Sequence, residues 1–143
     1  MPIEHSEHGS LTTQGHGSAG PQTIGKPRFV FDSVTINALT SALDGLSLRQ
    51  RAIADNIANV NTPGYHAKRV QFEEALAASA NEGSGRVAAT TAESLEPTRL
   101  NGNNVNLDTE TLSSIDTVLR YQFATQAIGG SFSSVRTALR TTS

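Results

Sequence analysis

The chain has 143 residues, room for one domain at most, and its hydrophobic content of 36%, with 5 Phe, 2 Tyr and no Trp, is thin material for a compact core. A formal charge of −2 argues against a general binder of nucleic acid or membrane surfaces, and the absence of cysteine excludes disulfides, thiolate metal sites and cysteine nucleophiles. No apolar run reaches the roughly 18 residues of a membrane span, and MPIEHSEHGS lacks the basic and apolar regions of a secretory signal peptide, so the sequence predicts either a cytoplasmic chain or one exported by a route that reads no such peptide.

Residues 1–29 have the composition of a disordered extension, rich in Gly, Ser, Thr and His and without periodicity. His5, His8 and His16 lack the fixed spacing and the carboxylate or thiolate company of a metal site. Gly15 to Gly20 fits the dinucleotide pattern G-x-G-x-x-G only formally, because no strand precedes it and Pro21 follows.

Residues 30–62 read as a heptad helix of about 26 residues. Asp32 or Ser33 is placed to cap it. Ile36, Leu39, Leu43, Leu46, Gln50, Ile53, Ile57 and Val60 follow at alternating spacings of three and four, a seam with one polar interruption at Gln50. Asn37, Thr40, Ser41, Asp44, Arg51 and Asp55 form the opposite face. Gly45 costs about 1 kcal/mol relative to alanine in a helix interior, which a close neighbour would explain.

The helix runs into an Asn-rich corner. Asn59 or Asn61 suits a left-handed helix end. Thr62 precedes a proline and is pushed out of the helical region, and Pro63-Gly64 occupies the centre of a type II turn before Tyr65. Residues 63–106 then read as that turn, a short extended piece, a weak helix over 72–79, and a partly disordered low-complexity loop that buries no core, with short strands conceivable around Val87 and Leu95. The basic pair Lys68-Arg69 reads equally as a solvated surface or a partner contact, and His66 as a surface residue.

A second turn cluster, Asn101 to Asn104, precedes a C-terminal helix over 107–143, with Asp108 as its cap and Glu110 on the positive end of the helix dipole. Leu112, Ile115, Leu119 and Phe123 form one apolar stripe; Tyr121, Ala124, Ile128, Phe132, Val135 and Leu139 form an overlapping one. Gly129-Gly130 is the expected weak point. The fold class is therefore mostly α: long terminal helices pairing as a coiled-coil-like unit around a turn-rich middle. Neither helix offsets its own backbone entropy alone, so full order calls for neighbours. No Walker loop, H-E-x-x-H, G-x-S-x-G or paired His/carboxylate arrangement is present, and no enzyme, cofactor, nucleic acid or small-molecule substrate is expected.

The string IADNIANVNTPGYHAKRVQFEEAL resembles the N-terminal signature of the flagellar axial proteins, the rod, hook and hook-associated family, and NGNNVNLDTETLSSIDTVLRYQ resembles the C-terminal part of its proximal rod members. The resemblance implies a structural, non-enzymatic role at the base of the flagellar rod, reached by flagellar type III export from the cytoplasm into the periplasm. It implies as partners copies of the chain itself, other rod proteins, the MS ring with its rod adaptor, and the export apparatus. It assigns assembly packing to Leu39, Leu43, Leu46, Ile53, Ile57, Leu119, Tyr121, Phe132 and Leu139, and a conformational corner to Asn56, Asn59, Pro63, Gly64 and Tyr65. Family members begin near the equivalent of Val30, so residues 1–29 are expected to be either a flexible export tail or sequence upstream of a start at Val30. The competing class is a non-flagellar coiled-coil adaptor or secreted interaction protein, which has no need of the NTPGY corner.

Overall fold

A computed structural model describes residues 33–140. The histidines of the first segment, the Gly15–Gly20 match and the Asp32 cap lie outside these residues. The order of elements is α1 (Ser33–Ala58), β1 (Lys68–Gln71), α2 (Glu73–Asn81), β2 (Thr90–Glu93) and α3 (Leu107–Arg140).

The terminal helices pack together, and they do so antiparallel: Asn56 of α1 meets Glu110 at the start of α3, while Gln50 meets Ser114. On α1 the seam side is buried at Leu46 and Ile53 and half-buried at Leu39 and Leu43, and it opens at Ile57. The α3 side differs from expectation. Its inner face is Glu110, Ser114, Thr117, Tyr121, Ala124 and Ile128, again at alternating spacings of four and three, and Glu110, Thr117 and Ala124 are buried. The stripe of Leu112, Ile115, Leu119 and Phe123 faces solvent. Small and polar side chains fill the buried part of this face, Tyr121 and Ile128 of the second predicted stripe stand at its edge, and the first stripe is left outside.

The apolar core starts at the seam residue Leu46 and spreads round α1. Leu46 and Ala52 pack with Val70 of β1 and Phe72, and Ala42, Leu48, Leu76, Val87 and Ala89 close around them. Each of the larger buried side chains contributes about 1.5–3 kcal/mol. Gly45 is explained here. A Cβ at this position would lie 2.6 Å from Cδ1 of Phe72, so the helix gives up propensity to let the ring approach. Gly45→Ala is therefore expected to destabilise the chain by about 1–3 kcal/mol in urea unfolding, against its propensity gain. Gly129→Ala, with nothing within 4 Å of the added carbon, is expected to stabilise by about 0.5–1 kcal/mol. Helix α3 runs through Gly129-Gly130 without interruption.

The middle segment is more ordered than its composition implied. β1 and β2 form an antiparallel pair with Lys68 opposite Glu93 and Gln71 opposite Thr90, so the second strand falls between the two sites suggested by Val87 and Leu95. The loop after α2 is tied to the polar face of α1: Asn37 donates to the Ser84 carbonyl, Ser41 Oγ donates to the Gly85 carbonyl, and the Val87 amide donates back to Ser41 Oγ. Val87 and Ala89 thereby reach a core that this segment was expected not to touch. The start of α3 also differs. The cap is Asn106, whose Oδ1 accepts from the amides of Asp108 and Thr109, and Asp108 lies inside the first turn.

Candidate functional site: a locked corner and an open helix face

Helix α1 ends by tightening. The Asn59 amide is shared between the carbonyls of Asp55 and Asn56, and the amides of Val60 and Thr62 reach back three residues. The turn Thr62-Pro63-Gly64-Tyr65 closes with the Tyr65 amide 3.3 Å from the Thr62 carbonyl, and Gly64 has φ +71° as its third position requires.

Asn56 is fully buried at the centre of this corner. Its Nδ2 donates to the Lys68 carbonyl at 2.9 Å and to Glu110 Oε2 at 3.1 Å, while its Oδ1 accepts from the Lys68 amide at 2.7 Å and from the Tyr65 hydroxyl at 3.3 Å. Both donors and both lone pairs are used. Glu110, read from sequence as a dipole partner, is instead a fully buried carboxylate held by Asn56 and by the Arg69 guanidinium. One polar cluster thus fastens α1, β1 and α3.

A second clasp comes from Asn103 and Asn104, both buried. Asn103 Nδ2 donates to the carbonyls of Asn59 and Thr62, and its Oδ1 accepts from the Val105 amide. Asn104 Oδ1 accepts from the Ala67 amide, and its Nδ2 donates to the carbonyls of Ser94 and Glu96. Arg99 reaches the carbonyls of Val60 and Val105. Arg99 was not singled out in the sequence, and Glu110 and the Asn101 to Asn104 cluster were read only as a helix-dipole partner and a turn; the recurrence of Asn-rich turns at both 56–61 and 101–106 is the signal that pairs them.

Both members of the basic pair are engaged within the chain, Lys68 at the surface and Arg69 half-buried. Lys68 Nζ lies 3.0 Å from Asp55, and the hydrogen bond to that carboxylate raises the lysine pKa, while Arg69 joins Glu110 and Glu96. Burial raises the Tyr65 pKa. His66 is exposed. Arg49 stacks over the Phe72 ring at 4.9 Å and pairs with Glu73. Burial pulls the Glu73 pKa up, but the hydrogen bond from Arg49 and those from nearby amides outweigh it, and the net value falls below the ordinary 4.5. A carboxylate with a lowered folded-state pKa stabilises the fold above its unfolded value and loses that contribution as pH falls through the folded one. Stability is expected to drop below about pH 4.5, and Glu73→Gln is expected to flatten that limb by under about 1 kcal/mol, because the side chain is partly exposed.

Of the residues assigned to assembly, Leu46 and Ile53 are buried, and Leu39 and Leu43 are half-buried. Ile57, Leu119, Tyr121, Phe132 and Leu139 are exposed. Among the described residues no helix is long and apolar enough to cross a membrane, and no group of three or more His, Asp or Glu side chains is arranged to hold a metal ion.

The segment from α1 through the corner coincides with a family match: residues 36–66 fit the profile described as "Flagella basal body rod protein". The chain is 30% identical over 125 residues to flagellar basal body rod protein FlgB of Bacillus subtilis, covering 75% of this chain and 94% of that protein. It is 31% identical over 121 residues to the FlgB protein of Borrelia hermsii, with 68% and 90% covered. For the FlgB protein of Escherichia coli the identity is 30% over 121 residues, with 69% and 88% covered. With nearly the whole length of these relatives matched, the chain belongs to the flagellar basal body rod protein FlgB family.

Proposed function

We propose that this chain is a structural subunit of the proximal flagellar rod, carried out of the cytoplasm by the flagellar type III apparatus and assembled in the periplasm between the MS ring with its adaptor and the rest of the torque-transmitting rod. The observation that carries the reading is the outer face of α3. In a member of the rod family, a helix that has already given its small-residue face to α1 still presents Leu112, Ile115, Leu119 and Phe123 to solvent. Neighbouring subunits supply the cover, and the locked corner fixes the angle at which that face is offered.

Because Leu119 and Phe132 are exposed, Leu119→Asp and Phe132→Asp are expected to shift the stability of the isolated chain by no more than about 0.5 kcal/mol, yet to abolish swimming. A large loss of stability would make these positions part of the monomer fold instead. Tomography of cells lacking the gene tests the placement. Membrane rings without rod or hook are expected; intact rods would move the chain to an adaptor role outside the flagellum.

A further inference from the structure

The two-stranded sheet has one closed edge and one open edge. The Ser94 amide donates to the Ala67 carbonyl, and the register continues with Arg69 opposite Ala92 and Gln71 opposite Thr90. In an antiparallel ladder, residues that bond across to the other strand alternate with residues whose backbone groups point away from it. On β1 the outward residues are Lys68 and Val70, and side chains of α1 meet them. Asn56 Oδ1 accepts from the Lys68 amide, Asn56 Nδ2 donates to the Lys68 carbonyl, and Arg49 donates to the Val70 carbonyl.

On β2 the outward residues are Thr91 and Glu93. Their amides and carbonyls bond nothing among the described residues, and the whole strand from Thr90 to Glu93 is exposed. Unpaired backbone on an exposed edge is a template for another extended strand. A sheet of two such short strands is also smaller than one that is stable by itself.

We propose that β2 of one copy pairs antiparallel with β2 of a second copy, Thr91 of each opposite Glu93 of the other, joining two sheets into one of four strands. The closed edge selects the occupant. Among the described residues the strands are β1 and β2, so the strand edge a copy has to offer is that of β2. Outward residues must meet outward residues, which fixes the parity of the pairing. Within that parity, centring on Ala92 places the smallest side chain of the strand where the backbones come closest, about 4.5 Å between Cα atoms. It also sets each Glu93 against a threonine. Centring on Glu93 would oppose two carboxylates, and centring on Thr91 would call on Ala89, which lies outside the strand and packs against the core.

The same patch serves both copies, so the contact closes at two and leaves only edges already sealed by Asn56 and Arg49. The inference goes beyond the rod reading and does not rest on it. A two-fold pair does not propagate, so this is a contact between free copies and not one that builds a polymer.

The chain has no cysteine, so a single introduced one reports on the pairing. In the proposed register the two Ala92 positions face each other within disulfide range, whereas the two Thr90 positions are offset by about 13 Å along the strands. Under mild oxidation, full-length Ala92→Cys is expected to reach a band at twice 15.1 kDa at least about ten-fold faster than Thr90→Cys. Adding Thr91→Lys, which faces Glu93 of the second copy, is expected to speed that band several-fold, and adding Thr91→Glu to slow it several-fold. Neither addition is expected to change the rate of Thr90→Cys. Thr91→Pro removes only an outward amide, a place where an edge strand tolerates proline, and is expected to bring Ala92→Cys down to the rate of Thr90→Cys. Circular dichroism is expected to show the fold kept throughout. Equal rates from the two cysteines in the folded chain, or Lys and Glu at position 91 shifting the rate in the same direction, overturns the pairing.

Discussion

Replacing Asn56 with Asp is expected to cost the isolated chain about 3–5 kcal/mol at neutral pH, although the two side chains have the same shape. The reason is the completeness of the cluster. Asn56 supplies two donors, one to the Lys68 carbonyl and one to buried Glu110, and a carboxylate supplies none. The substitution also sets a second negative charge beside Glu110, which is already paired with Arg69. The sign of the pH dependence follows. Two carboxylates in contact raise the proton affinity of the folded state above that of the unfolded chain, so the charge part of the penalty is absent at low pH and grows as pH rises, while the loss of one donor remains at every pH. Urea midpoints of parent and variant should therefore draw closer, without meeting, near about pH 4 and diverge near neutrality. Equal midpoints at neutral pH would show that the Asn56–Glu110 contact does not hold the corner.

Asn103→Ala is expected to cost about 2–3 kcal/mol, read in the same way. The carbonyls of Asn59 and Thr62 keep other partners in the tightened end of α1 and the Pro63-Gly64 turn, so losing the Asn103 donors leaves neither bare. The Val105 amide is different. It is in a buried residue and bonds to Asn103 Oδ1, so truncation strands a donor inside the protein. The variant should also loosen Arg99, which shares that oxygen. A loss below about 0.5 kcal/mol would place the clasp at the surface in energetic terms.

These two predictions concern contacts that the sequence does not spell out. The helices were legible because their cues are local: a three-and-four spacing from Ile36 to Val60, an Asn-Pro-Gly stop, and acidic residues at the start of α3. Gly45 was legible as an anomaly, though the Phe72 ring that explains it was not. The cap of α3 was misplaced by two residues because Asn106 and Asp108 offer the same chemistry. The larger miss was the face of α3. Periodicity finds every apolar stripe but does not say whether the chain or a neighbour covers it, and Leu112 and Leu119 fit either outcome. Glu110 escaped because a carboxylate in a first helical turn already has a sufficient local explanation. Its actual partners, Asn56 and Arg69, lie 54 and 41 residues away.

The antiparallel pairing of the terminal helices also sets a timetable. Gln50 and its partner Ser114 are 64 residues apart, so at about 5–20 residues per second a ribosome adds Ser114 roughly 3–13 s after Gln50. Throughout that interval the buried residues of α1 lack part of their cover, and the corner lacks Glu110, Asn103 and Asn104. The nascent chain is thus a loose thread until its last quarter exists, open for seconds to any factor that recognises unpaired helices.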